Sequence, residues 1–113
     1  MNEIETMQLM DNQFIVSYFD SYIDDDDSEP KINIVIEYCP NGDLSTLLEK
    51  QAKGLVTLNS NVRYLNENLV WKIFINLCLG LEHMHSRNYI HRDLKTLNIF
   101  MAKDNVAKIG DFG

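Results

Sequence analysis

The chain has 113 residues, 45% of them hydrophobic and 24% charged, which is typical of one soluble globular domain with a small core. Its formal net charge is −7, and this acidic balance disfavours nucleic acid as a partner. Residues 20–29 hold six acidic residues and no basic residue, and such a block is expected to form a solvated loop.

The first 38 residues predict the end of a helix and two strands. Ile4, Met7 and Met10 recur at helical spacing, so residues 2–10 are expected to form the last turns of an amphipathic helix. Two segments rich in β-branched and aromatic side chains are predicted to be strands joined by the acidic block as a long hairpin connection. These strands are residues 14–22 and residues 31–38.

A turn and two helices are predicted next. The sequence Pro40-Asn41-Gly42 is a strong turn signal, and it marks the expected boundary between the strands and a helical part. Asp43 is predicted to cap a short helix that ends near Ala52, with Gly54 as its stop. After a polar, irregular stretch over residues 55–65, Asn66 is predicted to cap a longer helix over residues 67–86.

The longer helix is apolar on nearly all sides. It carries one stripe of apolar side chains and several further apolar residues that widen the stripe. The stripe is Val70, Ile73, Phe74, Leu77, Leu81 and Met84, and the residues that widen it are Trp71, Ile75, Cys78 and Leu79. Because such a helix must be buried on all sides, and this chain has little material to cover it, we expect the chain to be part of a larger domain.

A small hairpin is predicted near the end of the chain. Residues 98–101 and 106–109 read as short strands that flank a turn at residues 103–105.

Two motifs carry the chemistry. Residues 91–98 read His-Arg-Asp-Leu-Lys-Thr-Leu-Asn, and residues 111–113 read Asp-Phe-Gly. At this spacing the two motifs resemble the catalytic loop and the magnesium-binding motif of protein kinases. The resemblance covers essentially the whole chain, from the end of the family's αC helix to the Asp-Phe-Gly motif.

The resemblance implies phosphoryl transfer from ATP with Mg²⁺ as cofactor. Asp93 would accept the proton of a substrate hydroxyl, and Lys95 would extend toward the γ-phosphate. Asn98 and Asp111 would offer hard oxygen ligands to Mg²⁺. Taken alone, an Asp or Asn in a turn is more often a backbone cap, but the joint spacing favours the catalytic interpretation.

The same resemblance implies a nucleotide pocket. Ile36 would stand at the back of the adenine site, while Glu37 and Cys39 would offer backbone C=O and N–H groups to adenine. Asp43 would approach the ribose, and Phe100 would pack beneath the purine. An apolar residue on a strand is usually core, so Ile36 and Phe100 could be core residues alone. Nothing in the sequence lowers the pKa of the Cys39 thiol, which is expected to be inert.

Further positions follow from the resemblance. Glu3 lies in the register of the αC glutamate, although a surface glutamate on a helix is the alternative. Arg92 would normally meet a phosphorylated activation loop. Four residues occupy the stacked spine that links the two lobes of the family: Met7, Tyr18, His91 and Phe112.

The resemblance also indicates a substrate class. Lysine at the position of Lys95 is typical of kinases that modify serine and threonine, so a protein with such a hydroxyl is the expected partner. The segments 75–85, 89–100 and 37–44 look most like the NIMA-related kinases. The oligomeric state cannot be inferred from the sequence.

The expected fold is therefore α+β and partial kinase-like. A remnant of the N-lobe, residues 1–38, contributes two strands and the end of the αC helix. A hinge, residues 39–43, joins it to the first helices and the catalytic-loop hairpin of the helical C-lobe, residues 44–113. Because the sequence has no glycine-rich loop and no strand lysine before the motifs, we expect the chain to be inactive alone. The alternatives are a non-catalytic kinase-like interaction fragment and a truncated gene model.

Other sites and compartments are disfavoured. His83 and His85 are two positions apart on a helix and face away from each other, so they are not expected to share a zinc ion. No signal peptide is expected, because Met1 is followed by Asn2 and Glu3 rather than by an apolar stretch. With two cysteines that fit free thiols, a cytoplasmic or nuclear protein without membrane contact is expected.

Overall fold

The computed structural model describes residues 3–26, 28–53 and 65–110. Three helices and four strands follow one another in this part of the chain. They are α1 (Glu3–Leu9), β1 (Tyr18–Asp24), β2 (Lys31–Ile36), α2 (Leu44–Ala52), α3 (Glu67–Ser86), β3 (Ile99–Met101) and β4 (Ala107–Ile109). None of the helices described is long and apolar enough to cross a bilayer.

Two antiparallel sheets of two strands each hold the strands. β1 pairs with β2, and β3 pairs with β4. The expected α+β class is confirmed by this arrangement of helices and small sheets. The limits set for the N-lobe, hinge and C-lobe stay a prediction.

The first strand begins later than its sequence predicts. Residues 14–16 pair with β4 instead of β2, because Ile109 N–H donates to the carbonyl of Phe14 and Val16 N–H donates to the carbonyl of Ile109, both at 2.9 Å. β1 then continues through Asp24, so part of the acidic block lies in the strand rather than in the connection. β2 ends at Ile36, two residues before the predicted end.

Residues 37–43 connect β2 to α2, and from here on we use the name hinge for this whole connection, which includes the predicted hinge at residues 39–43. The turn predicted there is confirmed: Gly42 has φ +70, a left-handed conformation that glycine adopts without a Cβ clash. The hinge also lies on the second sheet, since Asn41 N–H donates to the carbonyl of Met101 (3.2 Å) and Met101 N–H donates to the carbonyl of Gly42 (2.8 Å). These bonds place the hinge beside the β3–β4 hairpin.

Both predicted helix caps are confirmed. The Asp43 carboxylate accepts the backbone N–H of Thr46 at 2.8 Å and so begins α2. Asn66 accepts the N–H of Leu69 at 2.8 Å and begins α3 at the predicted residue. The predicted stop at Gly54 and the irregular stretch up to residue 64 lie outside the described residues.

α3 buries part of the face that its sequence predicts. Its buried residues are Leu69, Ile73, Asn76, Gly80 and Met84. Val70 and Phe74, which belong to the predicted stripe, are exposed. Ile73 and Met84 of the stripe are buried, and Leu77 and Leu81 pack against the core, so the stripe is confirmed in part. Hydropathy could not predict that the buried face also includes Asn76 and Gly80, which contact β4 and Phe14.

Two hydrophobic clusters form the core, one with the last turns of α3 and the other with its first turns. One contains Met7, Met10, Ile15, Met84 and Ile109, and the other contains Leu44, Leu69, Ile73, Ile99, Met101 and Ala107. Leu77 packs against both clusters. The hairpin predicted near the end of the chain is confirmed, and its turn uses left-handed φ at Asp104 and Asn105.

Candidate active site

A cleft of about 590 Å³ lies between α1, β2, the hinge and the β3–β4 hairpin. Its volume is in the range of pockets that hold small ligands. All five residues that the sequence predicts around adenine and ribose line it: Ile36, Glu37, Cys39, Asp43 and Phe100. The other lining residues are Met7, Val16, Ile34, Tyr38, Gly42 and Gly110.

The hinge backbone is partly engaged by the protein itself. Glu37 N–H donates to the carbonyl of Ser17 at 2.8 Å, and the carbonyl of Cys39 accepts from Gly42 N–H at 3.2 Å. The hydrogen bonds described for the hinge use neither the carbonyl of Glu37 nor the N–H of Cys39. These are the two backbone groups that the sequence predicts to face adenine.

Cys39 is half-buried on the wall of the cleft. Burial raises the pKa of its thiol, and the negative charge of Glu37 raises it further. A raised pKa keeps the thiol protonated, and a protonated thiol is a poor nucleophile. The side chain is therefore suited to pack against a ligand rather than to react with it.

The carboxylate of Asp43 is shared between the cleft and α2. One oxygen accepts the Thr46 N–H, and the other accepts the Thr46 hydroxyl at 3.0 Å. Each carboxylate oxygen can accept a second hydrogen bond. Asp43 can therefore cap the helix and still receive a hydroxyl from a ligand in the cleft.

Phe100 lines the cleft, and its ring packs closely against Gly110. A Cβ added at Gly110 would lie 2.7 and 2.9 Å from two ring carbons of Phe100 and 3.2 Å from a methyl of Val16. Any side chain at position 110 would therefore displace the Phe100 ring. The role of Gly110 could not be predicted from the sequence, because it depends on its contact with Phe100.

The catalytic-loop side chains converge on Asp93. The side-chain nitrogen of Asn98 donates to the Asp93 carbonyl at 2.8 Å and to its carboxylate Oδ2 at 3.3 Å. Lys95 Nζ lies 3.5 Å from the same Oδ2. Asn98 is buried, whereas Asp93 and Lys95 are exposed. The Asp93 carboxylate and the Lys95 ammonium group are thus exposed to solvent, and the buried Asn98 amide orients Asp93.

Two features of this geometry leave groups available for a ligand. Because the amide nitrogen of Asn98 faces Asp93, its oxygen is the atom left for a cation. The contact between Lys95 and Asp93 is exposed and long, and such pairs contribute little to stability. Lys95 can therefore turn to a phosphate at small cost.

His91 anchors the segment that leads to the second motif. Asp93 N–H donates to His91 Nδ1 at 3.2 Å, so the other ring nitrogen carries the proton and donates to the carbonyl of Gly110 at 2.8 Å. Gly110 N–H donates in turn to the carbonyl of Asn98 at 2.9 Å. Asp111, the predicted second magnesium ligand, lies outside the described residues.

The remaining predicted positions are distributed as follows. Met7 is buried in the first cluster, and Tyr18 packs against that cluster. Arg92 is exposed and has φ +72, an uncommon conformation for a residue with a side chain. The side chain of Glu3 and all of Phe112 lie outside the described residues. Among the described residues, no three His, Cys, Asp or Glu side chains form a metal site.

A charged residue that contacts the cleft-lining Glu37 could not be predicted from the sequence. Lys108 Nζ lies 2.6 Å from Oε2 of Glu37. Burial of the Glu37 carboxylate raises its pKa, but the hydrogen bonds from Lys108 and Ser17 and the charge of Lys108 outweigh burial and lower it overall. No local sequence signal predicts this pair, because Glu37 lies in the hinge and Lys108 lies in β4, far apart in the chain.

Comparison with known proteins extends these observations. The protein kinase domain family matches residues 1–113. The chain is 36% identical to serine/threonine-protein kinase Nek5 of Mus musculus over 113 aligned positions, gaps included, which cover 99% of this chain and 16% of that protein. It is 32% identical to probable serine/threonine-protein kinase nek2 of Dictyostelium discoideum over 116 residues, covering 100% of this chain and 26% of the relative.

A third relative, serine/threonine-protein kinase Nek5 of Homo sapiens, is 36% identical over 112 residues, or 98% of this chain and 14% of that protein. The chain thus spans between 14% and 26% of the length of these relatives. The similarities confirm the resemblance to NIMA-related kinases. With a match over all 113 residues, the chain belongs to the protein kinase domain family.

Proposed function

We propose that the chain carries the nucleotide cleft and catalytic loop of an ATP-dependent kinase that phosphorylates serine or threonine hydroxyls of proteins. The observation that carries the proposal is the convergence of Lys95 and the buried Asn98 on one exposed carboxylate, that of Asp93. This arrangement lies next to the cleft, since Phe100 and Gly110 line the cleft and Gly110 is bonded to Asn98.

Each residue has a distinct role in this proposal. The Asp93 carboxylate accepts the proton of the attacking hydroxyl and orients the hydroxyl. Lys95 neutralises charge on the phosphate that is transferred. The Asn98 amide oxygen and the Asp111 carboxylate are the ligands for Mg²⁺. When bound, Mg²⁺ offsets the negative charge of the phosphates.

The cleft is suited to an adenine ring. Ile36, Cys39 and Phe100 provide a mostly apolar lining, and the hinge carries backbone groups along one edge. Apolar walls with a few fixed polar groups are typical of small-ligand sites. The Glu37 carbonyl and the Cys39 N–H are two residues apart. This spacing suits a base whose hydrogen-bond donor, which would meet the carbonyl, lies next to an acceptor, which would meet the N–H.

The protein substrate and the cellular location are proposals as well. The protein substrate follows from the names of the relatives, which are serine/threonine-protein kinases. A cytoplasmic or nuclear location rests on the sequence, and the free thiols of Cys39 and Cys78 fit it.

A chimera tests the function directly. Residues 1–113 replace the matching segment of the mouse Nek5 kinase domain, and transfer of labelled phosphate from Mg-ATP to a protein substrate is measured. We expect phosphoserine or phosphothreonine as product. Because a general base contributes about 10²- to 10⁴-fold, Asp93→Asn is expected to lower the rate by at least about 100-fold. Asp104→Asn, an exposed turn residue, is the matched control and should have no effect.

A folded chimera whose turnover does not depend on Asp93 would refute the proposal. The isolated 113-residue chain is expected to label no substrate above its Asp93→Asn variant, because its sequence holds no glycine-rich loop and no strand lysine to clamp the phosphates.

The second candidate function is a non-catalytic kinase-like interaction fragment. It is favoured by large apolar side chains that are exposed among the described residues, such as Phe19, Ile23, Ile32, Trp71 and Phe74. Such a fragment has no need of the Asp93 carboxylate. Partner capture that survives Asp93→Asn, combined with an inactive chimera, would support this alternative.

A further inference from the structure

The ion pair between Glu37 and Lys108 ties three segments together. The two charged atoms are 2.6 Å apart, and the side chains of Lys108 and Glu37 are only 14% and 20% exposed. The second carboxylate oxygen of Glu37 accepts the backbone N–H of Ser17 at 3.1 Å. The Glu37 backbone N–H donates to the carbonyl of the same residue, Ser17. The hinge is therefore fixed both to the start of β1 and to β4.

Lys108 also lies on the same hairpin as Phe100, which lines the cleft. In the β3–β4 hairpin it stands directly opposite Phe100. Residues directly opposite in an antiparallel pair project from the same face of the sheet. The strand pair that carries the ring of Phe100 thus also carries the ammonium group that holds Glu37.

We propose that Lys108 is a positioning residue for nucleotide recognition, and that its ion pair with Glu37 sets the separation between the hinge backbone and the Phe100 ring. The adenine ring would enter this space. The inference rests on the proposed function, since it takes adenine as the ligand of the cleft.

The burial of the pair makes this role physically reasonable. An attraction between charges that are shielded from water is weakened less by solvent and salt than one at the surface. The chain offers an exposed counterpart in α2, where Lys53 and Glu49 pair at 2.7 Å but are 62% and 65% exposed. Only the shielded pair is expected to hold backbone segments in place.

Four variants of the full chain separate charge from packing. Lys108→Met removes the charge and keeps an unbranched apolar side chain, and Lys108→Arg restores the charge. Glu37→Gln removes the other charge but still accepts the Ser17 N–H. Lys53→Met breaks the exposed pair and is the matched control.

Amide hydrogen exchange in the nucleotide-free chain gives the first measurement. The reporters are the hydrogen-bonded hinge amides of Glu37, Asn41 and Gly42, and the references are Leu77 and Leu81 in α3. We expect about 10-fold faster exchange of the hinge amides in Lys108→Met and Glu37→Gln, because loss of the pair promotes local opening. Lys108→Arg and Lys53→Met should match the wild type. Unchanged hinge exchange, or equal acceleration in α3, would overturn the proposal.

Equilibrium dialysis against Mg-ATP gives the second measurement. The Kd is expected to rise about 10-fold in Lys108→Met and Glu37→Gln, since a less ordered hinge must be ordered on binding. Lys108→Arg should restore the affinity. Faster hinge exchange with an unchanged Kd would refute the link to recognition. If the wild-type chain binds no Mg-ATP, the link between the pair and nucleotide recognition is refuted for this chain, whereas the chimera still decides on the proposed function and hydrogen exchange still decides whether the pair holds the hinge.

Discussion

Among single residues, Asn98 is buried, yet its side-chain nitrogen donates to two oxygens of the exposed residue Asp93. This contact orients the loop and leaves the amide oxygen for a cation. An aspartate has the same shape but no donor. At position 98 it would place an acceptor and a charge against the carbonyl and carboxylate of Asp93.

Asn98→Asp is therefore expected to lower the free energy of unfolding by about 2–3 kcal/mol, because a buried charge is left without a donor. Urea denaturation measures the change. Asn98→Ala removes the donor without adding a charge and should cost less. If the two variants lose the same stability, repulsion at Asp93 is not the cause.

Glu37 gives a prediction on acid stability. Its pKa in the folded chain lies below its ordinary value of 4.5, since the hydrogen bonds and charge outweigh burial. Its stabilising contribution is thus present above pH 4.5 and is lost as the pH falls through the lowered folded value.

Glu37→Gln should flatten the decrease of unfolding free energy below pH 4.5, as followed by urea denaturation at several pH values. Glu49→Gln is the comparison, because Glu49 also has a lowered pKa, set by Lys53, but lies at the surface. The acid dependence of Glu49→Gln should stay close to the wild type. A larger change at Glu49 than at Glu37 would contradict this account.

At the scale of secondary-structure elements, α3 is positioned by its closest contacts. Asn76 accepts the N–H of Ala107 at 3.0 Å, which satisfies a buried donor of β4. A Cβ at Gly80 would lie 3.0 Å from both the carbonyl oxygen of Phe14 and a methyl of Ile109. The glycine thus lets the helix approach the segment before β1 and the strand β4.

Gly80→Ala tests this close approach. Alanine favours a helix by about 1 kcal/mol over glycine, but the backbone oxygen of Phe14 cannot easily move away. We expect a net loss of about 1–2 kcal/mol in unfolding free energy from overpacking. Cys78→Ala, at an exposed position of the same helix, should be neutral. A stabilised Gly80→Ala variant would show that the helix is free to shift.

The same elements show what the sequence could predict. Asp43 and Asn66 were identifiable as caps, because a cap contacts a residue three positions away. The burial of Gly80 and the pairing of residues 14–16 with β4 were not identifiable, because they depend on contacts between segments far apart in the chain. The candidate site follows the same rule: its motifs are local, whereas the Glu37–Lys108 pair joins the hinge to β4.

At the scale of the whole molecule, the hinge and the catalytic loop meet on the β3–β4 hairpin. Asn41 and Gly42 are bonded to Met101 at one end of β3, and Asn98 directly precedes the other end. The hairpin thus sets where a nucleotide held by the hinge would place its phosphates. We propose that a cation bound with ATP lies between Asp93, Asn98 and Asp111.

Paramagnetic broadening by Mn²⁺ tests this claim most directly. NMR spectra of the isotope-labelled chain are recorded with Mn-ATP. They are compared with spectra recorded with Mg-ATP and with Mn²⁺ in the absence of ATP. We predict ATP-dependent loss of the Asp93, Asn98 and Asp111 signals, while those of Lys53 persist. Broadening confined to the acidic residues 20–29, with Asp93, Asn98 and Asp111 unaffected by ATP, would contradict the account.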